Sequence, residues 1–107
     1  IPMRLLASEI TREKLFMKLR QELPYSLTVE TEKWEEKKDG SVKIDQVIYV
    51  ERESQKSIVL GAKGAMLKSI GESSRRELSK LWDRPVHLFL FVNVKEDWKQ
   101  SPDTYRY

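Results

Sequence analysis

Hydrophobic residues recur along the first half of this chain at two different periods. They first fall at every third or fourth position, which predicts an amphipathic helix that Ser8 caps and Pro24 ends. They then alternate with polar residues on both sides of Asp39-Gly40, a pair that is typical of a hairpin turn. The predicted elements are a helix over residues 8–23, which residues 4–7 can extend, and strands over residues 25–37 and 42–53.

The second half of the chain places its helices before its strand. A short helix over residues 55–60 precedes the glycine loop 61–64, and a longer helical stripe follows over residues 65–82. Because Gly71 costs that helix about 1 kcal/mol relative to alanine, we expect helix and sheet to approach closely there. Every second residue from Val86 to Val94 is aliphatic, which predicts a strand with one apolar face. The order indicates one α+β domain, with helices packed on one face of a three-stranded mixed sheet.

Composition excludes several classes of chemistry. The chain has 107 residues, enough for one domain, and it has no cysteine, which excludes disulfides, thiolate zinc sites and cysteine nucleophiles. Its one histidine, His87, has no serine or cysteine near it in the sequence, so we expect neither a hydrolase nor a bound cofactor. The longest apolar run, Leu88–Val92, is far shorter than the ~20 residues of a membrane span. No secretory leader pattern opens the chain, so a cytosolic location or an organellar equivalent is expected.

Positive charge is concentrated in the middle of the chain. The formal net charge is +3, whereas residues 56–84 alone have a net charge of +4. The residues behind that excess are the basic Lys56, Lys63, Lys68, Arg75, Arg76, Lys80 and Arg84 and the acidic Glu72, Glu77 and Asp83. A local excess of this kind favours a polyanionic partner, although a charge cluster on a helix is more often a solvated face.

The loop Gly61-Ala62-Lys63-Gly64 is the strongest candidate for function. Glycines let a ligand backbone approach closely, and the start of the next helix offers free N–H groups and a partial positive charge to an anion. Lys63 adds a full charge at the loop tip. A GxxG loop between two short apolar helical segments and after a hairpin is the pattern of the KH domain, which clamps single-stranded RNA. The sequence contains neither GxxxxGK[ST] nor GxGxxG, which excludes the two common nucleotide-binding glycine motifs.

Five further sequence blocks stand around this loop: residues 9–16 (EITREKLF), 22–26 (ELPYS), 50–56 (VERESQK), 85–88 (PVHL) and 92–98 (VNVKEDW). In this order they are similar to the C-terminal type II KH domain (αββααβ) of the Era family of ribosome-assembly GTPases. The departures are small: Ser54 replaces a common glycine, and residues 103–107 differ from the family's Leu-Gly-Tyr ending.

The resemblance implies a function that composition alone does not reach. Members of this family bind the 3′ end of 16S ribosomal RNA in the small ribosomal subunit through this domain, and a GTPase domain in the same polypeptide controls that binding. The chain itself contains no GxxxxGK[ST], DxxG or NKxD motif, so we do not expect it to hydrolyse GTP. The family also implies peripheral contact with the inner face of the membrane. The expected organisation is an inter-domain linker over residues 1–7, the KH domain over 8–95 and a tail over 96–107.

The site predicted from the loop and the resemblance has three parts. The backbone of the loop residues Gly61, Ala62, Lys63 and Gly64 holds phosphates, and Lys56 and Lys68 are outer phosphate contacts. The bases lie in an apolar groove formed by Ile58, Leu60 and Leu67, with Ile48 or Val50 of the second strand beside them. For Leu67 a place in the core is as well supported as a place in the groove, and Arg75 and Arg76 fit a solvated face better than a contact.

Two phenylalanines support a function of another class. Phe89 and Phe91 share the second face of the last strand, where they can stack bases or be covered by Trp98, by Tyr105 or by a GTPase domain. If a partner protein covers them, the chain is a protein-interaction domain. Trp34 lies on the polar side of its strand by alternation, and packing or an inter-domain contact is its expected role.

Overall fold

The computed structural model describes residues 1–20 and 27–95. Its elements follow the predicted order. They are α1 (Met3–Leu19), β1 (Thr28–Glu36), β2 (Val42–Val50), α2 (Glu53–Leu60), a 3₁₀ turn (Ala62–Gly64), α3 (Ala65–Trp82) and β3 (Val86–Val94).

The first helix begins at Met3, so the predicted cap at Ser8 is wrong. The Ser8 hydroxyl instead donates to the carbonyl of Arg4 within the helix, at 3.3 Å, and Ala7 is fully buried. The extension of the helix over residues 4–7 is therefore confirmed, and these residues, which were also assigned to a linker, belong with Met3 to the start of α1. The predicted helix end near Pro24 lies outside the described residues. The division into linker, domain and tail stays a prediction.

The sheet is mixed, and β2 is its middle strand. β1 pairs with β2 antiparallel, whereas β2 pairs with β3 parallel. The inner face of β2 carries five buried residues, Val42, Ile44, Gln46, Ile48 and Val50. The helices cover that face, with α1 against β1 and α3 against β3. The predicted α+β architecture, with helices packed on one face of a three-stranded mixed sheet, is confirmed.

Two apolar clusters form the core under the helices. The larger one joins the C-terminal half of α1 to α2, α3 and the ends of β2 and β3 through Leu15, Val59, Ile70 and Val92. The smaller one joins the N-terminal half of α1 to the C-terminal half of α3 through Ala7 and Leu78.

The ion pair between Lys14 on α1 and Glu77 on α3 raises the pKa of Lys14, because the carboxylate accepts a hydrogen bond from the ammonium.

A β-bulge in β1 moves Trp34 to the inner face of the sheet. The pairing register shifts between Thr31, opposite Gln46, and Lys33, opposite Asp45. Because a bulge adds one residue, every later side chain changes face. Trp34 consequently packs against Trp82 with ring centroids 5.5 Å apart and an interplanar angle of 63°. The alternation placed Trp34 on the wrong face, while the packing role expected for it is confirmed.

A polar pair lies at the centre of the otherwise apolar inner face. Gln46 and Thr11 are both fully buried, and the Thr11 hydroxyl donates to Gln46 Oε1 at 2.6 Å. The Gln46 amide in turn donates to Thr31 Oγ1 at 3.4 Å. Because a buried amide must keep its hydrogen bonds, this contact fixes how α1 lies on the sheet.

Candidate nucleic-acid interface

The GxxG loop adopts a backbone conformation that requires glycine at its first position. Gly61 has φ 70° and ψ −177°, a region that is essentially restricted to glycine. A Cβ atom there would lie 2.6 Å from Met66 Cβ and 3.0 Å from Met66 N. The loop can therefore fold tightly against the start of α3 only because position 61 has no side chain.

The last loop residue leaves an open approach to the start of α3. Gly64 is the N-cap of α3 in a left-handed conformation, with φ 76° and ψ 11°, and a Cβ built on it meets nothing within 4 Å. Among residues 1–20 and 27–95 no side chain caps this helix, and its first turn carries no acidic residue. The partial positive charge of the helix N-terminus is thus available to an anion at Gly64.

The predicted phosphate-binding residues lie on the surface around this opening. Lys63 is exposed at the loop tip and is also left-handed, with φ 55° and ψ 28°. Ala62 and Lys68 are exposed as well, and Lys56 on α2 is half-buried. Lys63 therefore places positive charge at the tip of the loop, and Lys68 adds a second exposed cation near the start of α3.

A shallow groove of about 390 Å³ starts at Gly64 and runs between α3 and β3. Its walls combine apolar side chains with charged ones at the rim. The lining residues are Gly64, Leu67, Lys68, Gly71, Glu72, Arg75, Leu88, Phe89 and Leu90. Leu67 also packs against the larger core cluster, so it lies at the border between the core and this groove.

The strand beside this groove is β3. The prediction that Ile48 or Val50 of β2 lies in the groove is wrong. Ile48 and Val50 are almost completely buried, because β2 is the middle strand and its inner face lies under the helices. Ile58 and Leu60 are half-buried against the larger core cluster and do not line the groove. Of the predicted groove side chains, only Leu67 lines it.

Gly71 leaves room in the groove. A Cβ atom at this position would lie 3.5 Å from Leu90 Cδ1, which is an ordinary van der Waals distance. The close helix–sheet approach expected at Gly71 is therefore absent, since alanine would also fit. The missing side chain instead deepens the groove between Leu67 and Leu90.

Arg84 belongs to the fold, although it contributes to the basic segment. Its guanidinium donates to the carbonyl oxygens of Gly40 and Ser41 at 2.9 and 3.1 Å and forms an ion pair with Glu36. The hydrogen bond from Arg84, together with one from Trp34 Nε1, lowers the pKa of Glu36. The charge of Arg84 is therefore balanced within the fold, and this residue is not part of the candidate site.

The outer face of the sheet carries the exposed aromatic residues. Phe89 and Phe91 are 46% and 50% exposed, and the buried Val47 lies opposite Phe91 in the pairing register. Lys43 Nζ lies 5.0 Å from the centroid of the Phe89 ring. This contact could not be predicted from the sequence, because it depends on the parallel register of β2 and β3. Trp98 and Tyr105, proposed as covers for the phenylalanines, lie outside the described residues.

Within residues 1–20 and 27–95 no group of three or more His, Asp or Glu side chains is arranged to hold a metal ion. The same residues include no helix that is long and apolar enough to span a membrane.

Comparison with known proteins agrees with this geometry. The model of the KH domain family matches residues 22–99. The chain belongs to the KH domain family. Over 106 residues this KH domain is 64% identical to the GTPase Era of Brucella suis, and over 105 residues it is 65% identical to that of Bradyrhizobium diazoefficiens. The two matches cover 99% and 98% of this chain, but the chain spans only about a third (34%) of the length of each relative.

Solved structures give the same result. The KH domain is similar to a point variant of Aquifex aeolicus Era bound to GDP and AlF4⁻, with a TM-score of 0.85, 41% identity and coverage of 99% of this chain and 36% of that one. Era in complex with MgGDPNP and nucleotides 1506–1542 of 16S ribosomal RNA matches with the same TM-score, identity and coverage. The resemblance to the KH domain of Era is confirmed.

Proposed function

We propose that this KH domain binds single-stranded RNA, with phosphates at the GxxG loop and bases in the groove between α3 and β3. The observation that carries the proposal is the continuity of the two features. Gly64 is both the open N-cap of α3 and the first lining residue of the groove. A strand whose phosphate lies at Gly64 therefore has its neighbouring bases beside Leu67 and Gly71.

The loop supplies backbone rather than side-chain recognition of phosphate. Gly64 allows a phosphate to approach the first turn of α3, where N–H groups and the helix dipole favour negative charge. Lys63 adds a full charge at the rim, and Lys68 and Lys56 extend the positive surface on either side. Because these contacts address the phosphodiester chain, they hold RNA without selecting its sequence.

Sequence selection is assigned to the groove. Leu67, Leu88 and Leu90 provide apolar contact for base faces. Within the described residues β3 pairs only with β2, so its other edge can present backbone N–H and C=O groups to the edges of bases. A clamp of this type holds about four nucleotides.

The proposed target is the 3′ end of 16S ribosomal RNA during small-subunit assembly. The support is the 41% identical Era structure that holds nucleotides 1506–1542 of that RNA. Because the curated relatives are GTPases and this chain spans a third of their length, we also propose that a GTPase domain in the same polypeptide controls the binding. A cytoplasmic location and peripheral contact with the inner membrane face are part of the same proposal and rest on the family resemblance alone.

A charge reversal at the loop tip tests this assignment. Lys63→Asp places a carboxylate where a phosphate is expected, at a left-handed position that aspartate tolerates better than most residues. We expect affinity for a labelled single-stranded RNA to fall at least tenfold, with the fold intact by circular dichroism. Lys38→Asp, the same change at the exposed hairpin turn, is the matched control and should alter affinity by less than about threefold, because screening weakens a distant charge. Equal effects of the two variants would reduce the site to general electrostatic attraction.

A further inference from the structure

Phe89 is the residue that connects the groove to the outer face of the sheet. Its side chain is 46% exposed and belongs to the outward-facing set of β3, yet the residue also lines the groove beside Leu88 and Leu90. Phe91, two positions further along the same face, is exposed to the same degree and does not line the groove. A ligand strand that fills the groove and passes over the edge of β3 therefore meets Phe89 first.

The charges around Phe89 are mixed, with a cation directly at the ring. The ammonium of Lys43 lies 5.0 Å from the ring centroid, which is the distance of a cation–π contact. Lys43 also lies 3.3 Å from Asp45, so part of its charge is balanced. On the groove side the lining residues include two positive side chains, Lys68 and Arg75, and one negative side chain, Glu72. Positive groups thus stand on both sides of the ring, which favours an anionic ligand over a cationic or a purely apolar one.

We propose that Phe89 is a stacking platform for an RNA base that lies next to the groove, where the strand crosses the edge of β3. This inference rests on the proposed function and adds a contact beyond the GxxG loop and the groove. Phenylalanine can stack on any base, and a cation beside its ring can meet the phosphate of the stacked nucleotide. The continuity of Phe89 with the groove assigns it to RNA, whereas Phe91 has no such connection.

The test compares the two phenylalanines in the whole 107-residue chain. The probe is a single-stranded RNA that matches the 3′ end of 16S rRNA, made with 2-aminopurine at successive positions, whose fluorescence is quenched when the base stacks. We expect Phe89→Ala to weaken binding roughly 5- to 150-fold, the effect of losing one base–aromatic stack, and to abolish quenching at one probe position. Phe91→Ala is the matched control and should leave both affinity and quenching unchanged.

A conservative pair of variants separates stacking from simple apolar contact. Phe89→Tyr keeps an aromatic face and should retain wild-type quenching, whereas Phe89→Leu keeps apolar volume and should lose it. If Phe89→Ala binds RNA like the wild type while Lys63→Asp does not, the stacking proposal is wrong and RNA binding at the loop stands; the phenylalanines would then fit a protein-docking surface. If Lys63→Asp also binds normally, the proposed function itself fails.

Discussion

Adding one methyl group at each of three glycines should have three different effects on stability. Gly61, Gly64 and Gly71 lie within one stretch of chain, and each can be changed to alanine. Gly61→Ala combines a nearly glycine-only backbone conformation with a 2.6 Å contact to Met66 Cβ. A conformation of that kind costs about 1–3 kcal/mol for other residues, and relieving the contact requires the loop to shift as well. We expect a total loss of about 2–4 kcal/mol of unfolding free energy.

The other two positions have no such contact. Gly64→Ala meets open space, so only the left-handed backbone opposes it, and the cost of roughly 1–2 kcal/mol is partly offset by the smaller entropy of the unfolded chain. Gly71 is inside α3, and its new Cβ would make an ordinary contact with Leu90 at 3.5 Å. Gly71→Ala should therefore stabilise the domain by about 0.5–1 kcal/mol, since alanine has the higher helix propensity.

Urea unfolding followed by circular dichroism measures all three changes on one scale. Gly71→Ala should in addition weaken RNA binding, because its methyl group enters the groove, so stability and affinity should move in opposite directions for this variant. A Gly61→Ala variant no less stable than Gly64→Ala would refute the role assigned to the Met66 contact. A destabilised Gly71→Ala would refute the conclusion that the groove has room there.

Two further predictions concern the sheet and its ion pair. Thr11→Val removes the hydroxyl that donates to the buried Gln46, which should lower the unfolding free energy in urea by about 1–3 kcal/mol. Thr28→Val, at an exposed position of β1, should change it by less than about 0.5 kcal/mol. Equal effects of the two variants would contradict the role of the buried contact. Because Arg84 holds the pKa of Glu36 below its ordinary 4.5, the stabilisation from this pair is present above pH 4.5 and is lost as the pH falls through the lower pKa of the folded state. The difference in stability between wild type and Glu36→Gln should therefore shrink from pH 7 to strongly acidic pH, and a constant difference would contradict the assignment.

Elements whose ends are marked by glycine, proline or another helix-breaking residue could be predicted from the sequence. Gly64 precedes α3 and the helix-breaking Asp83-Arg84-Pro85 follows it, and the predicted bounds of 65–82 are those of the structure. The alternation from Val86 gives β3 in the same way. At the start of the chain the local signal is misleading. Ser8 is a typical N-cap residue, but the apolar residues before it pack into the smaller core cluster. Because of this burial, α1 begins at Met3.

What could not be predicted depends on pairing between distant residues. The bulge that turns Trp34 inward is a property of the register between β1 and β2, and nothing near Trp34 in the sequence indicates it. Likewise, the hairpin predicts that β1 meets β2 but leaves the place of β3 open. Because β3 lies at an edge of the sheet, next to α3, the groove has Leu88 and Leu90 in its wall, while Ile48 and Val50 are in the core. The position of the GxxG loop could be predicted because its glycines form a local pattern, whereas its role in holding RNA phosphates stays a prediction.

The central claim is that the loop and the groove together recognise a particular single strand of RNA. The most direct measurement is a titration of this chain with a labelled RNA matching the 3′ end of 16S rRNA and with a scrambled strand of the same composition, each at two salt concentrations. The account predicts tighter binding of the rRNA sequence at both salts, with affinities that fall as salt rises, because phosphate contacts release counterions. Equal affinity for both strands that collapses at the higher salt would contradict it and leave only a basic patch.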